Sequence, residues 1–365
     1  SGKGSAAFLY CKILRMLKNS SNGLFVWIGL CLLFCMQRPV CAQETVPERE
    51  QMHLQGKVKS LEEREYSAYE KTKPDGTREF FKDEETGIVS HQWTAFTRRG
   101  NVSEERIYDE SGRVAAKTVY KYSEAGDLME LHEYNEKGKK CGKTLFTYTS
   151  HRKYATQTVF LSDGSVEVAT YYYDPKFPKL DLLDSVVWKT PTETRVEICL
   201  YCKHQSVGGC ATPPGKPLAS QPGPLLEKIW LVNGEMKKKV VYNNDNEGKF
   251  LSEYYEEIGK DKEERYSLSY TYDAQNRMTS VKRYDETKEW DDNSSLVKPF
   301  EYKIIWEYDD YGNMTSEKWY NCRNELTSAT YYSYSYDDQH NWVLQMVFDE
   351  ERHVNTIVER EIVYY

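Results

Sequence analysis

An aromatic repeat is the feature that most constrains the fold of this 365-residue chain. In each copy, an aromatic residue is followed by an apolar residue six positions later and by a second aromatic residue twelve positions later. Six copies are present: Tyr108/Val114/Tyr120, Tyr122/Leu128/Tyr134, Tyr148/Tyr154/Phe160, Tyr272/Met278/Tyr284, Tyr308/Met314/Tyr320 and Tyr336/Trp342/Phe348. Because all these positions have the same parity, a β-strand would place their side chains on one face.

Turn-forming residues separate the two halves of each copy. Tyr108 is followed by Asp109, Glu110, Ser111 and Gly112, and the other copies carry similar runs of Asp, Asn and Gly. These residue types tolerate a left-handed backbone and form hydrogen bonds within their own turn. Each copy is therefore predicted to be a β-hairpin. The repeat tyrosines are predicted to be structural, namely Tyr108, Tyr122, Tyr134, Tyr272, Tyr284, Tyr308, Tyr320 and Tyr336.

The run from Tyr108 to Val114, closed by Tyr120-Lys121-Tyr122, resembles the YD or RHS repeat of large bacterial surface and toxin-encapsulating proteins. The resemblance covers roughly residues 100–175 and 240–350. It implies an all-β fold in which a long antiparallel meander of hairpins forms one curled open sheet. Only this scaffold is carried over to the present short chain, and no toxin-delivery role is expected.

The first 42 residues have the pattern of a signal peptide. They contain five basic residues and no acidic one, and their apolar run from Leu24 to Met36 is too short to span a bilayer as a helix. Val40 and Ala42 provide the small residues that signal peptidase requires, which predicts cleavage before Gln43. A short buried helix is the alternative. The protein is therefore expected to be exported, to the periplasm, the outer-membrane surface or the extracellular space.

Met16 would begin a compact signal, so residues 1–15 are interpreted as upstream or vector-derived sequence.

The net charge of the mature chain limits the classes of partner that it can bind. Removing the leader takes away five of the 49 basic residues and none of the 57 acidic ones, so the net charge falls from −8 to about −13. Nucleic-acid binding is not expected, because phosphate contacts would dominate its affinity. No membrane span is expected after cleavage.

The mature chain is predicted to contain three segments. Residues 43–185 form a first hairpin block, 186–226 a strand pair followed by a Cys/Pro-rich loop, and 227–365 a second hairpin block. Five prolines between 212 and 224 cannot lie in a sheet interior, which predicts a surface loop there. The two blocks are expected to be halves of one continuous sheet, with separate domains as the alternative.

One cluster carries metal-ligand chemistry. Cys199, Cys202, His204 and Cys210 could complete a tetrahedral zinc site. Exported proteins meet oxidising conditions, and Gly208 and Gly209 would let the chain turn back between Cys202 and Cys210. A Cys202–Cys210 disulfide is therefore the favoured prediction, with free thiols and zinc as alternatives.

The aromatic face has two interpretations. Aromatic ladders pack cross-strand neighbours in sheets of this kind, which explains the rings without a ligand. Exposed rings can also stack on the apolar faces of sugars. If the protein binds sugar, the site is expected at tryptophans outside the template, Trp290 and Trp319.

No catalytic motif is present: the sequence has no nucleophile elbow, no zinc-protease helix and no phosphate-binding loop. We therefore expect a non-enzymatic protein without a cofactor. The leading hypothesis is an exported scaffold or protein-interaction protein of a Gram-negative cell envelope, with a protein partner there. The alternative is a carbohydrate-binding accessory protein of a surface glycan system.

Overall fold

A computed structural model describes residues 48–174, 183–201, 225–245, 249–258, 263–287 and 299–365. Within these ranges, one short helix, α1 (Glu48–Gln51), precedes 21 strands. The strands are β1 (Val58–Thr72), β2 (Arg78–Lys82), β3 (Ile88–Phe96), β4 (Val102–Tyr108), β5 (Val114–Tyr122), β6 (Leu128–Asn135), β7 (Lys140–Tyr148), β8 (Tyr154–Phe160), β9 (Val166–Tyr173), β10 (Leu183–Lys189), β11 (Thr194–Tyr201), β12 (Leu225–Val232), β13 (Glu235–Asn244), β14 (Phe250–Ile258), β15 (Glu263–Tyr272), β16 (Met278–Asp285), β17 (Tyr302–Tyr308), β18 (Met314–Asn321), β19 (Leu326–Tyr336), β20 (Trp342–Phe348) and β21 (Val354–Tyr364).

The strands close into a barrel. From β3 to β21, each strand pairs antiparallel with the next one along the chain, and β1 pairs with both β3 and β21. The β1–β21 contact runs from Val58 opposite Tyr364 to Ser67 opposite Thr356. Twenty strands thus form a ring, and β2 pairs with β1 alone among the described strands. The all-β antiparallel meander is present, but the predicted open curled sheet is wrong.

Closure has a physical reason that no local pattern reveals. An open sheet would leave the backbone N–H and C=O groups on one side of β1 and of β21 without strand partners. Pairing the first strand with the last removes both edges, as in other closed barrels. The two blocks and the middle segment predicted from the sequence all contribute consecutive strands to this ring. The leader and the loop at 202–224 lie outside the described residues.

The aspartates of the repeat organise its turns. Asp109 Oδ1 accepts hydrogen bonds from the backbone N–H groups of Ser111 and Arg113, at 3.0 and 2.9 Å. The aspartates at 273, 309 and 337 accept the same pair of bonds from the residues two and four positions later. The residue between those two donors has a positive φ, +75° at Gly112. This geometry explains why the sequence places Asp first and Gly or Asn fourth.

Each of these hairpins carries a β-bulge. Thr271 lies opposite Ser280, but Tyr272 lies opposite Met278, so Thr279 is the extra residue. The same register shift follows Tyr122, Tyr148 and Tyr308 in their hairpins. A bulge reverses the parity of every later residue in the strand. The prediction that all template positions share one face is therefore wrong.

The cross-strand pairs of β15 and β16 show how the bulge places one copy of the repeat on two faces. Tyr270 lies opposite Val281, and Tyr272 and Met278 pack against that pair. Tyr284 instead lies opposite Ser267, on the other face of the sheet. Met278 therefore shares a face with Tyr272, as predicted, whereas Tyr284 does not.

The two faces differ in burial. Chaining the cross-strand pairs around the ring places most of the buried apolar side chains on one face, the inner face, including Leu61, Phe96, Val186, Val240, Val281 and Ile304. Large apolar side chains on the opposite, outer face are more exposed, for example Phe160, Tyr172, Leu200 and Val363. In a closed barrel, the crowded face is the one that points towards the axis.

Tyrosine hydroxyls tie neighbouring strands together at one rim. Tyr122 donates to the carbonyl of Val102, the first residue of the preceding strand, at 2.6 Å. The same bond recurs from Tyr148 to Leu128 and from Tyr308 to Met278, at 2.6 and 2.7 Å, and again at Tyr173, Tyr272 and Tyr334. These bonds satisfy carbonyls beside the bulges and give those tyrosines a structural role.

The N-terminal segment (residues 48–57) crosses the same rim. Its first turn is fixed by the backbone bond from Arg49 N–H to Gly100 O, at 3.0 Å. Farther along, Gln55 N–H donates to Asn341 Oδ1 at 2.7 Å. Leu54 packs into the inner-face cluster that contains Val58. Among the described residues, no helix is long and apolar enough to cross a membrane.

Candidate functional site

The inner face combines aromatic rings with carboxylates. Glu317 accepts hydrogen bonds from the indole N–H groups of both Trp306 and Trp319, each at 2.8 Å. Glu197 accepts the indole N–H of Trp230 at 3.2 Å and forms an ion pair with Lys228 at 2.7 Å. Each carboxylate therefore orients aromatic side chains that line the interior.

Burial raises the pKa of several inner-face side chains. Desolvation raises the pKa of Glu253, and hydrogen bonds from Tyr255 and Tyr270 offset only part of that effect. Desolvation likewise raises the pKa of Tyr171 to about 12. The pKa of Glu65 rises to about 7 because this carboxyl is buried and lies near the charge of Glu63. Phenols on this face thus remain neutral hydrogen-bond donors at physiological pH.

Of the two tryptophans predicted to bind sugar, the structure describes Trp319. Trp319 lies on the inner face opposite Ile304, and its ring centroid is 5.5 Å from that of Tyr302. Tyr320, the adjacent template residue, points to the outer face, where Lys303 lies over its ring. Trp290 lies outside the described residues. Trp319 and Tyr320 therefore lie on opposite faces of β18, and sugar binding by Trp319 remains a prediction.

The repeat tyrosines are divided between the two faces. Tyr122, Tyr272, Tyr308 and Tyr336 point inward, whereas Tyr108, Tyr134, Tyr284 and Tyr320 point outward. On the outer face, Tyr108 stacks on His91 at 4.0 Å, and Lys117 lies 4.6 Å above the ring of Tyr134. The hydroxyls of the inner four bind backbone or turn groups at the rim. The outer four belong to a polar, charged surface.

Of the predicted cysteine cluster, only Cys199 lies within the described residues. It is buried on the inner face, opposite Lys228, and its thiol lies 3.9 Å from Glu197 Oε1. Cys202, His204 and Cys210 lie outside the described residues, so both the disulfide and the zinc alternative remain predictions.

One described group could offer three ligands to a metal. Asp349, Glu351 and His353, in the turn between β20 and β21, place their ligand atoms within 4.8 Å of one another. Glu351 and His353 are exposed, and solvated acidic turns commonly have this arrangement without an ion. No metal site is assigned to them.

A cavity of about 290 Å³ opens at the rim beneath the N-terminal segment. We call it the rim pocket. Its walls include Gln55, Tyr311, Asn313, His340, Trp342 and Arg360. Arg360 forms an ion pair with Glu63 at 2.8 Å, and its guanidinium lies 3.3 Å above the ring of Trp342. The rim pocket thus combines aromatic rings with amide, imidazole and guanidinium groups.

Sequence reasoning missed this pocket. Its residues come from two turns and the last strand, which consecutive strand pairings bring together, and from the N-terminal segment, which reaches them because β1 pairs with β21. One local signal was available at Tyr311, an aromatic residue inside a turn whose equivalent positions hold Ser111, Gln275 and Gln339.

Comparison with protein-family models and with curated proteins finds no match. Among solved structures, the toxin assembly TcdB2-TccC3 is 12% identical over 79% of this chain and 17% of that chain, with a TM-score of 0.31. A porin-like protein from Bacteroides uniformis is 11% identical over 84% of this chain and 96% of that one, with a TM-score of 0.30. A porin-like protein from Bacteroides vulgatus has 11% identity over 82% and 98% of the two chains, with a TM-score of 0.23.

The chain thus spans about a sixth of the length of TcdB2-TccC3. At these TM-scores the comparisons assign no family, and the fold rests on the strand pairings themselves. The resemblance to YD repeats remains a prediction from the sequence.

Proposed function

We propose that this protein is an exported, non-catalytic, carbohydrate-binding barrel that works with a surface glycan system. The observation that supports this proposal most strongly is that three partly exposed inner-face tryptophans are each held by a carboxylate. Trp230, Trp306 and Trp319 are neither fully buried nor free to rotate. Fixed rings with accessible faces stack on the apolar faces of sugars, and neighbouring carboxylates accept bonds from sugar hydroxyls.

The charged side chains of the outer face favour a barrel wall that contacts water. Charged side chains form ion pairs across the middle of its strands, including Glu62 with Arg64 and His91, and Glu130 with Lys121. A lipid-facing barrel wall instead carries an apolar band between its aromatic girdles. This charge pattern, together with the predicted signal peptide, favours an exported protein with an aqueous surface.

A second candidate function, the scaffold or protein-interaction role in the cell envelope, is favoured by one outer-face feature. Val187 lies opposite Val196, which lies opposite Leu231, and Ile198 lies beside this row opposite Ile229. This apolar row interrupts an otherwise charged surface. Apolar patches rimmed by polar residues often bind protein partners.

Titration with oligosaccharides separates the two candidates. We expect wild-type protein to bind at least one of cellohexaose, xylohexaose, mannohexaose and laminarihexaose in isothermal calorimetry. Trp319→Ala should weaken that binding about tenfold, the equivalent of 1.4 kcal/mol. Trp93→Ala is the matched control, because Trp93 lies on the outer face beneath Arg106. Equal losses in both variants, or no binding by the wild type, would contradict the carbohydrate proposal.

A further inference from the structure

The rim pocket contains an aromatic residue that the repeat does not explain. Tyr311 is 53% exposed, the highest value among the large apolar side chains that the structure describes. It occupies the position two residues after the turn aspartate, where the turn uses only the backbone N–H group. Turn geometry therefore accounts for Asp309 but gives no reason for an aromatic ring at 311.

The ring of Tyr311 is nonetheless held in place by its neighbours. It stacks on His340 with ring centroids 5.3 Å apart and planes inclined by 20°. Its centroid lies 4.6 Å from that of the Tyr336 ring. His340 occupies the left-handed position of the next turn, with φ +65°. The protein thus presents a pre-positioned, solvent-accessible aromatic platform at the mouth of the pocket.

The pocket below this platform offers uncharged polar groups. The side-chain amides of Gln55, Asn313 and Gln339 line it, and Asn313 Nδ2 donates to Tyr336 Oη at 3.0 Å. The charge of Arg360 is balanced by Glu63, at 2.8 Å. Side-chain amides and hydroxyls can both donate to and accept from alcohol groups. A neutral, hydroxyl-rich ligand therefore fits this lining better than an anion does.

The size of the cavity limits what it can hold. Its volume of about 290 Å³ lies just below the roughly 300–1,000 Å³ range of pockets for drug-sized ligands. The geometry points to the rim pocket as a subsite for a single sugar ring of a neutral glycan, stacked on Tyr311 and bonded by the amides below. This inference rests on the proposed carbohydrate-binding function and assigns that function a second, separate contact point.

The test compares two exposed tyrosines in the full-length mature protein. Tyr311→Ala removes the platform, and Tyr172→Ala removes an outer-face tyrosine of similar exposure, 50%. The probe is whichever of the four hexasaccharides named above binds the wild type most tightly. We expect Tyr311→Ala to weaken binding about tenfold and Tyr172→Ala to leave it within about twofold.

The outcomes separate the two proposals. If the wild type binds and Trp319→Ala weakens binding but Tyr311→Ala does not, the rim subsite is overturned and carbohydrate binding stands. If no hexasaccharide binds the wild type, both proposals are overturned. Circular dichroism of each variant checks that an observed loss is not unfolding, which is not expected for an exposed turn residue.

Discussion

Replacing Glu65 by Gln is expected to stabilise the protein at pH 8.5 by about 3 kcal/mol. Glu65 is 8% exposed on the inner face, between Ser90 of β3 and Val358 of β21. Burial, and secondarily the charge of Glu63, raises its pKa to about 7 from the model-compound value of 4.5. The folded state therefore holds this carboxyl in its neutral form more strongly than the unfolded chain does.

The sign of the pH dependence follows from this difference. Between the unfolded pKa near 4.5 and the folded value near 7, the folded state binds more protons, so stability falls as pH rises through this window. Above it, the cost of the buried charge is constant. Glutamine carries no charge, so Glu65→Gln should remove this slope and have little effect at pH 4.

Urea denaturation of the wild type and variant at pH 4, 6 and 8.5 measures this effect. The control is Glu361→Gln, because Glu361 lies on the outer face with its side chain 65% exposed. That variant should stay within about half a kcal/mol of the wild type at each pH. A gain from Glu65→Gln that does not grow with pH would contradict the assignment of Glu65 as a buried, titrating group.

Met278→Ala is expected to destabilise the protein by about 1–3 kcal/mol. Met278 packs against the inner-face cluster of Tyr270, Val281 and Ile304 but is only partly buried, so the loss should lie below that of a fully buried methionine. Thr279, the next residue, is the extra residue of the bulge, and its hydroxyl contacts Thr271 at 3.0 Å. Thr279→Ala should cost no more than about half a kcal/mol.

Chemical denaturation of both variants measures the contrast. A similar loss of unfolding free energy in both variants would contradict this arrangement, in which Met278 packs inward and Thr279 lies in the bulge. The carbonyl of Met278, which accepts the hydroxyl of Tyr308, is present in both variants. The comparison therefore isolates the side chains.

Local sequence pattern was sufficient to predict the hairpins. Alternation and turn residues predicted β-strands around Asp109, Asp273 and Asp309, and strands flank each of these turns. Parity counted over a whole copy failed, because the spacing of six between Met278 and Tyr284 contains one bulged residue, Thr279. The hydroxyl of Tyr272 also donates to the carbonyl of Phe250 on the preceding strand. The sequence pattern does not show this role.

Long-range features could not be predicted from the sequence. Closure depends on Val58 and Tyr364 meeting across nearly the whole chain. The N-terminal wall of the rim pocket, residues 52–55, depends on that closure, because it leads into β1 and β1 pairs with β21. Alternation within β18 places Trp319 and Tyr320 on opposite faces, and a sugar-binding role for Trp319 remains a prediction.

Residue-resolved hydrogen exchange across β1 and β21 tests the closed barrel most directly. In an open sheet each would be an edge strand, with alternate backbone N–H groups facing solvent. The closed ring predicts that consecutive amides from Glu62 to Tyr66 and from Val358 to Ile362 exchange as slowly as those of the internal strands β5 and β6. Rapid exchange at every second amide in both strands would show an open sheet and contradict the barrel.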